Sequence, residues 1–323
     1  MIPTDLIEKI SRNLKISETQ LIEKDLYLQA LLAKLSKSKY FSENFVFKGG
    51  TCLTKAYFGY YRFSEDLDFT WINQKVFEGK SEKQIRKMLS KEINKIMEII
   101  EKSTKELDLE FKPLKSDKHY VQLGGSNRFA TFLLWYNQAK EKRKTFIKIQ
   151  LNFVEKIFIK PKKHKLKAIG KALKEELELE YPEYSEHATL TPVFYCYVLK
   201  EIAAEKIRAL LTRRGFKARD IIDLYYLAKE GATIKKVKKI AIEKTEFMLK
   251  YLKYGENLKN KKFEEKFKLG EEERLMIEET DKKFEKFADK TLKELNELAE
   301  EIRIKPKEKN CLKQWKKQKQ NKI

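Results

Sequence analysis

The sequence predicts an α+β fold: a small mixed β-sheet flanked by helices, followed by a helical domain. Three observations carry this. Short apolar or alternating runs bounded by glycines occupy the first half, apolar residues at three- and four-residue steps dominate the second, and 41% hydrophobic with 12% aromatic residues over 323 positions can bury real cores. The expected division is 1–160 for the sheet domain with its N-terminal helices, 161–304 for the helical domain and 305–323 for a basic tail.

In chain order, residues 18–35 read as a helix with Leu21, Leu28, Leu31 and Leu35 on its apolar side. Phe45-Val46-Phe47 reads as a buried strand, ended by Lys48-Gly49-Gly50, and 51–58 reads as a helix. Residues 66–71 alternate polar with apolar, so Asp66 and Asp68 share one face of a strand while Leu67 and Phe69 enter the core. A long amphipathic helix is expected over 82–106, then strands at 107–111, 128–136 and 145–154. Gly124-Gly125-Ser126 reads as a hairpin turn or flexible loop and not as a second phosphate loop, because a strand-like segment follows it. From about Lys165 onward the pattern is helical, with Pro182 and Pro192 marking a connection and the acid-rich 173–186 a solvated face or linker. Helices over 198–214 and 217–229 come next, and 235–258 and 271–302 complete a bundle.

The chemistry concentrates between Phe45 and Trp71. A strand, a Gly-Gly-Thr turn, a helix and an Asp-x-Asp strand follow in that order. Gly50 and Thr51 stand where a helix begins, so free N–H groups and the positive end of the helix dipole are available to an anion such as a triphosphate. Two carboxylates on one strand face form a hard-oxygen site suited to Mg²⁺, with Mn²⁺ as an alternative, and such a site serves nucleotidyl transfer. Transfer with two metals calls for a third carboxylate. The strand 145–154 instead presents Lys148, Gln150 and Asn152, so Asp220, an inward-reaching Glu155 or a single held metal must serve, or the site is dead. The bland reading makes Gly49-Gly50 an ordinary turn and the two aspartates a solvated edge.

Together KGGTCLTKAYFGYYRFSEDLDF, the later EKIRALLTRRGFKARDIIDLYYLAK (205–229) and the upstream EKDLYLQALLAKLSKS resemble the AbiEii-type nucleotidyltransferase toxin family, also called DUF1814, within the polymerase-β-like superfamily. The resemblance implies an enzyme that moves nucleotides from an NTP to an RNA 3′-hydroxyl, with tRNA as acceptor, as the toxin of a toxin–antitoxin or abortive-infection pair with a cognate antitoxin. It implies Asp66 and Asp68 as metal ligands, Gly50 and Thr51 as the phosphate-binding turn completed by Lys48 and Gly49, and Lys206 and Asp220 as the lysine and aspartate of the later motif. Read on chemistry alone, Lys206 stands beside an apolar helical stripe and suits phosphate, while Asp220 in a helix first turn equally serves the helix dipole. Asp223 reads as structural, a partner for Arg213 or Arg219. The alternatives are a nucleotidyltransferase or kinase acting on protein, and a non-catalytic RNA-binding relative with a decayed site.

Charge points toward a polyanion: 71 Lys and Arg against 49 Asp and Glu give +22. Part of the excess lies in 156–171, with Phe158 among the lysines, and in 305–322, with Trp315. A lysine-rich solvated surface is the competing explanation. Cys52, Cys196 and Cys311 lack metal-ligand spacing and point to a reducing cytoplasm, and His119, His164 and His187 read as surface residues. No apolar stretch has the length of a membrane span and 1–14 lacks a signal-peptide core, so a soluble, unexported protein is expected.

Overall fold

A computed structural model describes residues 1–278 and 281–304; the basic tail, with Cys311 and Trp315, lies outside the described residues. The fold is α+β, built on one seven-stranded mixed sheet in the order β3-β4-β5-β2-β1-β7-β6. Helix α1 (Thr4–Leu14) buries Leu6, Ile7 and Ile10, and α2 (Thr19–Lys37) is buried along most of its length. The short α3 (Lys39–Asn44), capped by the Ser38 side chain, leads into β1 (Phe45–Lys48). Its outward turn begins α4 (Gly49–Cys52), which runs without a break into a π-helical segment, Leu53–Phe58. Next comes β2 (Asp66–Trp71), antiparallel to β1 with Lys48 opposite Asp68.

Helix α5 (Glu82–Lys105) opens with a capping box between Ser81 and Gln84 and buries Ile85, Leu89, Ile93, Ile96 and Ile100, the stripe its three- and four-residue spacing dictates. The hairpin β3 (Val121–Gly124) to β4 (Phe129–Asn137) turns through Gly125, and β5 (Lys144–Asn152) pairs antiparallel with β4 and parallel with β2. Leu107–Phe111, expected as a strand, makes a single bridge, Glu110 to Trp135, because Asp108 takes a left-handed conformation (φ 55°) that breaks the extended run.

The chain from residue 161 onward is not wholly helical. Strands β6 (Lys162–Lys165) and β7 (Val193–Cys196) extend the sheet, β7 running parallel beside β1. The lysine-rich β6 has no apolar alternation to betray it. Between them α6 (Lys174–Glu180) and α7 (Pro182–Thr189) replace the expected linker, with Pro182 in the first turn of α7, where its missing N–H is harmless. The core under β1 and β2 is aromatic: Phe41, Phe45, Phe47, Phe69, Phe153 and Phe194 are almost fully buried, with ring centroids 4.8 to 6.0 Å apart.

Two compact units result. The first comprises Met1–Val198 together with residues 273–278, and the second comprises Leu199–Glu272 with residues 281–304. The second unit is helical: α8 (Leu199–Thr212), α9 (Ala218–Lys229), α10 (Ile234–Leu249), α11 (Leu252–Lys259) and α12 (Lys282–Ile304). The helical segment expected over 235–258 is divided at Tyr251, whose extended backbone (φ −95°, ψ 117°) starts α11 afresh. The helix expected from 271 begins only at Lys282, after a 3₁₀ turn at Gly270–Leu275.

Candidate active site

Backbone geometry brings the glycine turn and one aspartate together. Gly49 has φ +79°, and a Cβ there would lie 2.4 Å from the Asp68 Oδ2, so only glycine lets β1 turn so close beneath that carboxylate. A Cβ on Gly50 would meet the Arg62 Nη2 at 2.4 Å and the Ser64 Oγ at 2.9 Å. Arg62 is almost fully buried and donates to the Phe63 carbonyl at 2.7 Å. Its place beside the turn was missed on the sequence, where YYRFSEDLDF offered only a basic residue shortly before the Asp-x-Asp strand.

Thr51 is 1% exposed, and its hydroxyl donates inward to the Asp66 carbonyl and lies 2.9 Å from the Ser64 Oγ. It ties the helix start to β2, fixing the distance between turn and carboxylates. Asp66 and Asp68 are both half-buried and lie in register with Lys148 and Gln150 of β5. The Lys148 Nζ is 3.7 Å from Asp66.

Lys48 and Glu155 form a buried pair on the same face. The Lys48 ammonium donates to the Glu155 Oε2 at 2.6 Å, and the same oxygen accepts from the Thr70 hydroxyl at 3.2 Å and the Asn152 amide at 3.1 Å. Glu155 thus does reach inward, but as the anchor of a lysine. Among the described residues, no group of three or more His, Cys, Asp or Glu could together hold a metal. Asp66 and Asp68 share one face of β2, and a three-carboxylate, two-metal set is not found among the described residues.

The later motif builds a separate cluster in the second unit. Lys206, 9% exposed on α8, donates to Asp220 at 2.7 Å and also pairs with Asp223 of α9. Arg213 takes the other Asp220 oxygen at 2.7 Å. Burial alone would raise the Asp220 carboxyl, but the Lys206 and Arg213 charges outweigh it and hold the pKa below its ordinary value. Asp223 pairs with Lys206, and Arg219 reaches Glu272 at 3.3 Å. Of the histidines only His119 is exposed, and His164 and His187 are half-buried, their pKa values lowered first by desolvation.

The chain matches the model of the AbiEii nucleotidyl transferase toxin of Type IV toxin–antitoxin systems over residues 29–306, and it belongs to that family. Family membership implies a nucleotide substrate and an antitoxin partner. Among solved structures it is similar to JHP933 from Helicobacter pylori, at 17% identity over 95% of this chain and 100% of that one, with a TM-score of 0.42. It is also similar to a candidate nucleotidyltransferase from H. pylori, at 17% identity over 89% of this chain and 96% of that one, with a TM-score of 0.38. No curated protein matches the chain. Among the described residues, no helix is long and apolar enough to cross a membrane.

Proposed function

We propose that the protein transfers nucleotides from an NTP to an RNA 3′-hydroxyl, with tRNA as the acceptor. The observation that carries this reading is the Asp68 carboxylate set directly against the Gly49 turn, with Asp66 on the same strand face. Gly49 and Gly50 offer backbone N–H groups to the terminal phosphates at the start of a helix that continues to Phe58. Asp66 and Asp68 are the residues that would hold a divalent cation on the triphosphate. Mg²⁺ or Mn²⁺ bound there supplies Lewis-acid polarisation of the phosphate and charge neutralisation. Lys48, fixed by Glu155, keeps a positive charge on the face of the carboxylates, and Thr51 sets their distance from the turn.

Lys206 and Asp220 enter the proposal as a cluster of the second unit, in which Asp220, whose two oxygens are engaged, positions Lys206. A carboxylate with a lowered pKa is a poor proton acceptor, so this role suits Asp220 better than that of general base. The incoming 3′-hydroxyl attacks the α-phosphate and pyrophosphate leaves. Purified protein with Mg²⁺ and each labelled NTP is expected to lengthen a tRNA pool, and Asp68→Asn to abolish the extension. Failure of the wild type with all NTPs and several RNAs overturns the reading. The amides Gln150 and Asn152 favour one alternative, an RNA-binding relative without transfer, for which salt-sensitive RNA binding would survive that failure.

A further inference from the structure

We propose that the sheet face carrying Asp66 and Asp68 continues into a stacking platform, His119 on Trp135, that seats the terminal bases of a single-stranded RNA 3′ end. The inference rests on RNA being the acceptor. Asp66 is in register with Lys148 on β5, Lys148 with Leu133 on β4, and Phe146 with Trp135, so all of these lie on one face. Trp135 stands two strands across from β2, roughly 10 Å, and one same-face step along, roughly 7 Å, at ordinary sheet spacings. That places it within reach of nucleotides next to a 3′-hydroxyl held at the aspartates.

The platform is preformed. The His119 ring lies parallel to the Trp135 indole, with centroids 4.2 Å apart and an interplanar angle of 1°, and Phe146 meets the indole edge-on at 4.9 Å. The indole N–H donates to the His119 carbonyl at 2.9 Å, which locks the two together. His119 is exposed, whereas Trp135 and Phe146 are half-buried, so the outer ring adds little to the core. A base laid on His119 extends the stack whatever its identity.

Lysines are interleaved with the rings. Lys144 lies 5.8 Å from the Trp135 centroid, Lys148 5.8 Å from Phe146 and Lys112 5.8 Å from Tyr120. Glu110 sits 2.6 Å from Lys144 and offsets one of these charges. Rings for bases beside ammonium groups for phosphates suit a nucleic-acid strand, and an acidic or apolar peptide matches only half of the surface.

The test uses the full-length protein and an RNA stem with a single-stranded 3′ tail carrying 2-aminopurine near its end. Wild type is expected to quench the fluorophore on binding. Trp135→Ala and His119→Ala are each expected to lose the quench and raise the KM for RNA at least about fivefold, the low end of one base–aromatic stack. Trp135→Phe should keep most of both. Since His119 is exposed, its variant tests the platform even where Trp135→Ala folds poorly. Unchanged quench and KM in both alanine variants, while wild type still extends that RNA, overturns the platform alone. Wild type that extends no RNA, or that labels a polypeptide, overturns the function on which it rests.

Discussion

Lys48 and Glu155 show why a single residue can matter at this site without touching a nucleotide. Both are more than nine-tenths buried and each is the other's counter-charge. Removing one takes a counter-charge from a buried ion, which costs up to about 3–5 kcal/mol. Lys48→Met and Glu155→Gln should therefore each lower the thermal midpoint strongly. The double variant should lose much less than the sum, and a double-mutant cycle by denaturant unfolding measures the difference. Additive losses would mean that the pair is not coupled. Asp66, Asp68 and the glycine turn were legible in the sequence because strand alternation and positive-φ glycine are local rules. The carboxylate that pairs with Lys48 was weighed as a metal ligand instead, because a partner 107 residues away is set by sheet order and leaves no local trace.

Elements explain where pH enters. Glu23 on α2 is 2% exposed and accepts the Ala139 N–H of the β4–β5 turn at 2.9 Å. Desolvation raises its pKa from 4.5 to about 7, against the pull of that hydrogen bond. A carboxyl whose folded pKa lies above its unfolded value favours the native state while protonated, so this contribution is full below about 4.5 and lost as pH rises through about 7. Glu23→Gln should thus raise the thermal midpoint at pH 8 relative to wild type and change it little at pH 4. A wild-type advantage at pH 8 would contradict this. The strongly periodic helices α2, α5, α8 and α9 were readable to within a few residues, and so were β1, β2, β4 and β5. Strands β6 and β7 were not, because they are four residues long and β6 is nearly all lysine, held by its neighbour rather than by its own pattern.

At the scale of the molecule, the +22 charge gives any polyanion a long-range pull, whereas the site itself depends on how distant segments close around it. Residues 273–278 return to the first unit and pair with the stretch around Arg62: Phe63 donates to the Leu275 carbonyl at 2.7 Å, and Ile277 donates to the Tyr61 carbonyl at 3.1 Å. Ile277→Pro deletes that donor and should cost about 1–3 kcal/mol. It should also weaken NTP binding in a calorimetric titration, despite its distance in sequence from Gly50; unaltered affinity would show that Arg62 holds its place unaided. This far-flung closure also bears on biosynthesis. Asp68 leaves the ribosome 208 residues before Met276, about 10–40 s at ordinary elongation rates, and a nascent polypeptide cannot brace Arg62 until that late segment has emerged. A member of a toxin family built this way cannot close the stretch around Arg62 until the segment about Met276 has been made.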